Sequence, residues 1–231
     1  MTTATRPYVM TLKAATESAG KISLGNGKMP GSTFATDAFA CKVGDKLAKV
    51  KGSVCNGCYA RKIQKLRPSV NQGWSNNQRL AVNLIASAPD KWVAAMVFQV
   101  EKAALKSGQP FHRWFDSGDL DSVDMLAAIC KVAAATPSIW HWLPTRESGI
   151  VKEYRKSGGS IPRNLRIRLS ATMLNDKPVK AAKLLGVSTS TVHTKGQPFV
   201  DWQCPAPDQG GNCGDCRHCW LSDKNVSYRK H

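Results

Sequence analysis

Apolar positions along this chain follow two different periods. From Ala88 to Leu105 they fall at Trp92, Val93, Met96, Val97 and Val100, the three-and-four spacing of an amphipathic helix. Tyr59 to Leu66 and Asn76 to Ala86 carry the same period, the first stopped by Pro68. Residues 20–40 are rich in Gly, Ser and Thr and read as strand and turn. After Leu105 the texture shortens. Phe111 to Phe115 reads as a strand that ends at Asp116-Ser117-Gly118-Asp119, and a helix from Asp121 to Ala135 follows. Ser138 to Leu143 is a second strand, ending at Pro144-Thr145-Arg146-Glu147-Ser148, followed by a short helix from Ile150 to Lys156. Leu165 to Ser170 is a third strand, Val179 to Leu185 a helix and Val187 to His193 a fourth strand.

Strand, polar loop and helix in repetition predict an α/β fold: a parallel β/α barrel, partial or complete, with a C-terminal cysteine-rich metal-binding loop. The boundaries are residues 1–200 for the barrel-like domain and 201–231 for the cysteine-rich extension packed on it. In such folds the working residues stand on loops at the carboxyl ends of the strands. Asp116, Ser117, Gly118, Asp119, Thr145, Arg146, Ser170 and His193 are therefore expected on one face. Lys180 to His193 resembles the core of a helix-turn-helix, with Gly186 at the turn. The β-branched run Ser188-Thr-Ser-Thr-Val-His favours a strand there instead.

Charge adds a partner. Lys and Arg number 33 against 16 acidic residues, a net charge of +17 spread along the chain and not confined to a tail. Such a field suits phosphate backbones, so a nucleic acid or nucleotide substrate is expected. No apolar run approaches a membrane span, and the segment from Met1 to Met10 lacks the basic-then-apolar order of a signal peptide. The expected setting is cytoplasmic, where thiols stay reduced and serve as metal ligands more often than as disulfides.

The cysteines carry the chemistry. Of 8 in the chain, Cys41, Cys55 and Cys58 form one group, and Cys204, Cys213, Cys216 and Cys219 another. The second group, spaced by eight, two and two residues in a Pro/Gly-rich stretch, has the ligands for a closed zinc site or an iron–sulfur cluster. Three thiolates in the first group leave one iron of a 4Fe-4S cluster open, and an open iron can bind S-adenosylmethionine. Cys130 lies within the apolar run from Leu126 to Val132 and is assigned to the core. Trp202 and Trp220 flank the second group and are expected to shield it from water.

Taken as a set, Cys55-Asn-Gly-Cys58-Tyr59-Ala60-Arg61-Lys62, Arg113-Trp-Phe-Asp-Ser117-Gly118-Asp119, Thr145-Arg146 and the Cys204 to Trp220 stretch resemble the phage-encoded gene product 88 family, over about residues 20–220. More distantly, three cysteines before a helix and a strand-end Ser-Gly-Asp resemble the radical S-adenosylmethionine superfamily. That superfamily spaces its cysteines more tightly; here thirteen residues separate Cys41 from Cys55, and the aromatic Tyr59 follows the last cysteine. The resemblance implies an iron–sulfur enzyme needing an electron donor. In it Ser117, Gly118, Asp119, Thr145, Ser170 and His193 line the cofactor pocket, Asp119 takes the cofactor's amino group and Arg146 binds a carboxylate or phosphate. The rival readings are a zinc-stabilised nucleic-acid-binding protein, with His112 or His193 completing the first site, and a zinc-containing base-exchange enzyme with Asp116 or Asp119 as nucleophile.

Overall fold

A computed structural model describes residues 10–25 and 27–230. Most of the N-terminal segment read for a signal peptide, Met1 to Val9, lies outside the described residues, as does His231. In chain order the elements are α1 (Leu12–Ala19), β1 (Ser32–Phe34), α2 (Lys42–Ala48), α3 (Tyr59–Leu66), α4 (Pro68–Ser87), α5 (Pro89–Ser107), β2 (Phe111–Trp114), α6 (Val123–Ala135), β3 (Trp140–Thr145), α7 (Ser148–Lys156), β4 (Leu165–Ser170), α8 (Ala181–Leu185), β5 (Ser188–His193), β6 (Trp202–Gln203), α9 (His218–Leu221) and β7 (Val226–Arg229). No helix among the described residues is long and apolar enough to cross a membrane.

Local chemistry sets the helix ends. Pro68 and Pro89 occupy the first turns of α4 and α5, where a missing N–H costs nothing. The Ser122 hydroxyl caps α6 by accepting from the Met125 amide. Gly108 ends α5 in the left-handed region, at φ 64°.

The strands form one parallel sheet of seven in the order β1-β2-β3-β4-β5-β7-β6. The first five neighbours follow chain order, as in a barrel, but the sheet does not close. Its edge strands are three and two residues long, and Ser23 bridges β1 at Thr33 in the antiparallel sense. Of the partial or complete barrel expected from the repeat, the complete form is excluded: the sheet is open. Residues beyond 200 are also more than a loop: they contribute β6 and β7, and β7 inserts between β5 and β6.

Alternation along the strands separates two faces. Trp114, Leu143, Leu165, Ile167 and Leu169 point to the helices and join the main core with Trp92, Met96, Val100, Leu126 and Ile129. Phe34, Trp92 and Trp114 pack edge-on or tilted at its centre, with ring centroids 6.0–6.3 Å apart. Cys130 is buried in this core, as its apolar run predicts. His112 belongs to the same side, bonded to the Ser32 hydroxyl and packed on Trp114 and His141. The opposite face carries Arg113, Trp142 and Arg168 and is covered by the C-terminal segment. Trp220 of α9 packs against Phe111 and Trp142 and donates its indole N–H to the His112 carbonyl at 2.9 Å.

Candidate functional site

The first cysteine group sits in the connection after β1. Cys41 is the N-cap of α2 and Cys58 the N-cap of α3, so each stands at the start of a helix. Arg61 of α3 pairs with Asp45 of α2 and locks the two helices together. A Cβ placed on Gly44 would lie 3.7 Å from the Cys41 sulfur and 3.8 Å from that of Cys55, so the two sulfurs flank one glycine. As free thiols they are held protonated: burial pushes Cys41 up to about 12, and the charges of Asp119, Cys58, Cys55 and Glu147 push the same way. Burial also raises Cys55, against the opposing charge of Arg146.

The loop after β2 reaches this group. Phe115 and Gly118 adopt positive φ (55° and 84°), which folds Asp116 to Asp119 into a tight turn. A Cβ at Gly118 would overlap the Thr36 hydroxyl, so glycine is what lets this turn approach the end of β1. The Ser117 carbonyl accepts from the Thr36 amide at 2.9 Å, and the Asp116 carbonyl accepts from the Tyr59 hydroxyl at 2.8 Å. Asp116 Oδ1 and the Ser117 and Thr36 hydroxyls are buried with no partner in the protein.

Asp119 is fully committed to the chain itself. Its carboxylate accepts from the Thr145 hydroxyl, the Arg146 amide at 3.0 Å and the Leu120 amide at 2.8 Å, joining the β2 and β3 loops. Burial nevertheless raises its pKa to about 6. Glu147, which sequence reading passed over, is buried beside it and accepts from the Val43 amide at 2.7 Å, anchoring the start of α2. Its position in the strand-end tetrapeptide Thr145-Arg146-Glu147-Ser148 was the available signal.

Thr145, Arg146 and Ser170 line a cavity of about 380 Å³ at the carboxyl ends of β3 and β4. Ser170 shares a hydrogen bond with Ser190 at 3.0 Å. His193 does not join them. It bonds to the Ser227 hydroxyl at 2.8 Å and lines a separate cavity with Lys195, Phe199 and Arg229.

The second cysteine group lies on the sheet face opposite the helices. Cys204 follows β6, and Cys219 lies in α9 with its sulfur 3.2 Å from the Tyr228 hydroxyl of β7. Burial lifts Cys219 to about 12, opposed by the Tyr228 hydrogen bond and the Arg168 charge. Arg168, without solvent exposure, donates to the carbonyls of Cys219, Thr189, Lys224, His218 and Ser222 at 2.6–3.2 Å. All of these acceptors are neutral. Of the two flanking tryptophans, Trp220 is buried as expected, whereas Trp202 is 37% exposed and stacks on His218.

Arg113 acts electrostatically near both groups. It lies over Trp142 at 4.5 Å, and its charge is felt both at the Tyr59 hydroxyl, next to Cys58, and at Cys213. Cys41 and Cys55 flank Gly44, and the charge of Cys58 acts on both. Among the described residues no set of three or more His, Cys, Asp or Glu is drawn in tightly enough for a single metal ion.

A family model described as gene product 88 matches residues 11–222, and the chain belongs to that family. No curated protein and no solved structure matches it.

Proposed function

We propose that this gene product 88 protein is a phage-encoded, cytoplasmic iron–sulfur enzyme in which Cys41, Cys55 and Cys58 hold a 4Fe-4S cluster with one open iron for S-adenosylmethionine. The observation that carries the reading is the placement of Cys41 and Cys55 around Gly44, with the Asp119 and Cys58 charges acting on Cys41 and with buried polar atoms that lack partners in the loop after β2.

When bound, such a cluster would supply one electron to S-adenosylmethionine, breaking a sulfonium C–S bond to release methionine and a carbon-centred radical. The chain's own residues have separable tasks. Asp116 Oδ1 and the Ser117 hydroxyl offer unpaired acceptors to an ammonium group. Asp119 keeps the Arg146 backbone fixed, and the Arg146 charge acts on Cys55. Gly118 keeps the turn close to β1. Cys204, Cys213, Cys216 and Cys219 hold a second metal centre, a structural one or an entry point for electrons from a donor protein. The net charge of +17 supports a nucleic acid or nucleotide substrate.

Anaerobic purification with iron, sulfide and zinc analysis tests the reading. Iron and sulfide with broad visible absorption, reduced in a Cys41→Ser/Cys55→Ser/Cys58→Ser variant, support it. A colourless protein with stoichiometric zinc replaces it with a zinc-stabilised nucleic-acid-binding protein.

A further inference from the structure

The cavity at the ends of β3 and β4 has a charge pattern that the cysteines do not explain. Three cationic side chains line it, Arg146, Lys177 and Lys180, against one carboxylate, Asp176. Asp176 turns back on its own backbone and accepts from the Lys177 amide at 2.8 Å. Among the described residues none of the three cations forms a salt bridge, although lysines elsewhere on the surface do. Arg146 Nε is buried and has no hydrogen-bond acceptor. An unmatched buried guanidinium N–H costs free energy that an anionic ligand would return. The Ser148, Ser170 and Thr172 side chains add hydroxyls to the same wall.

The cavity is also built into the cysteine loop. The Val54 amide donates to the Thr172 carbonyl and the Leu174 amide to the Gly52 carbonyl, each at 2.9 Å, and Ser53 bridges Met173. Cys55 follows this bridge directly. A ligand held by its anionic end at Lys177 and Lys180 would extend past Arg146 toward Cys55. At about 380 Å³ the space takes one nucleotide unit and no duplex.

We propose that this cavity binds the phosphate of a single nucleotide unit, free or within a single strand, and directs its base toward Cys55. As a statement about substrate it rests on the reading of this face as the working site, while the binding itself requires no metal. Titration calorimetry on metal-free and metal-loaded protein tests it, with nucleoside 5′-monophosphates, the matching nucleosides, inorganic phosphate and a short single-stranded oligonucleotide as probes. Monophosphates should bind at least about tenfold more tightly than nucleosides, one charge-assisted contact being worth about that factor. Lys177→Ser/Lys180→Ser, two exposed changes that leave the fold intact, should lose about tenfold for phosphate-bearing probes and nothing for nucleosides. Preference for the oligonucleotide over the monophosphate identifies a strand as the source, and the reverse identifies a free nucleotide. Equal binding of nucleosides and monophosphates, or unchanged affinity in the double lysine variant, overturns the proposal. The Cys41→Ser/Cys55→Ser/Cys58→Ser variant should keep the phosphate preference, so loss of the cluster reading and loss of the phosphate site give different results.

Discussion

Arg168 Nε donates to the carbonyl oxygen of Cys219 at 3.2 Å, from a strand position with no solvent exposure. The rest of its guanidinium holds four further carbonyls, three of them in the C-terminal segment. Burial presses its pKa down, and the charges of Tyr228 and Cys219 act in the other direction. On the proposed metal-binding reading, a buried cation satisfied only by neutral oxygens would balance the negative charge of thiolate ligands. Arg168→Met should therefore destabilise the protein by about 3 kcal/mol or more, since several buried acceptors lose their donor. Arg168→Lys, with three donors in place of five, should recover part of that. Thermal melts with limited proteolysis between residues 201 and 224 provide the measurement. A Met variant as stable and as protease-resistant as the parent would contradict this role.

Gly44 invites a substitution whose ordinary outcome is known. Alanine within a helix is favoured over glycine by about 1 kcal/mol. Here the new Cβ would meet the Cys41 Cβ at 2.9 Å and crowd the sulfurs of Cys41 and Cys55. Gly44→Ala is expected to leave the melting temperature within a few degrees of the parent while lowering iron content at the first group and sparing the second. Iron and sulfide per chain, compared with a variant lacking the second group's thiols, report the difference. Full loading of Gly44→Ala would show that the space above this glycine is not part of the metal site.

His141 makes stability depend on acid. Trp114 Nε1–H can only donate, so His141 Nδ1 at 3.3 Å is its acceptor. The Thr136 hydroxyl donates to the Val132 carbonyl and is left to accept from His141 Nε2–H at 2.8 Å. Burial lowers His141 to about 3, and His112 beside it lies well below its usual value for the same reason. The unfolded chain takes up the proton near pH 6.5 and the folded one does not, so stability present above that pH is lost as pH falls toward 3. The full His141 contribution is about 4–5 kcal/mol. Urea midpoints measured from pH 7 to pH 4 should fall steeply for the parent and less steeply for His141→Gln, with His112 supplying the remaining slope. Parallel curves would sink the assignment.

Much of the fold was legible because its elements announce themselves in period and in punctuation. The run Leu-Arg-Ile-Arg-Leu-Ser alternates cleanly and is β4 to the residue. Pro68 shows where punctuation misleads: it stops α3 and also opens α4, which extends eight residues ahead of the expected Asn76 start. α1 was missed because it buries only Ala15 and Ala19, side chains too small to mark a stripe. β6 has two residues and no pattern at all.

At the site, the strand-end rule located Asp116 to Asp119, Thr145, Arg146 and Ser170 correctly along their strands. It has no power to choose between faces. His193 is three residues past Ser190, on the other side of the pleat, and bonds to Ser227, whereas Ser190 bonds to Ser170. The role of Arg168 was hidden for the converse reason. An arginine alternating with core residues indicates a polar face, and only the tertiary structure supplies the segment that covers it.

The insertion of β7 between β5 and β6 has a temporal consequence. β6 hydrogen-bonds to β7 alone within the sheet, so as the ribosome delivers the chain, β6 emerges with no partner. Cys204, Cys213, Cys216 and Cys219 are all translated before residues 226–229 complete that corner. During this interval the nascent chain carries reduced, ungathered thiols next to an open β5 edge, the combination most exposed to mispairing. On the proposed reading, loading of the second group with metal would follow the end of synthesis, and a chain arrested before Val226 would present its cysteines without the strand that sets them in place.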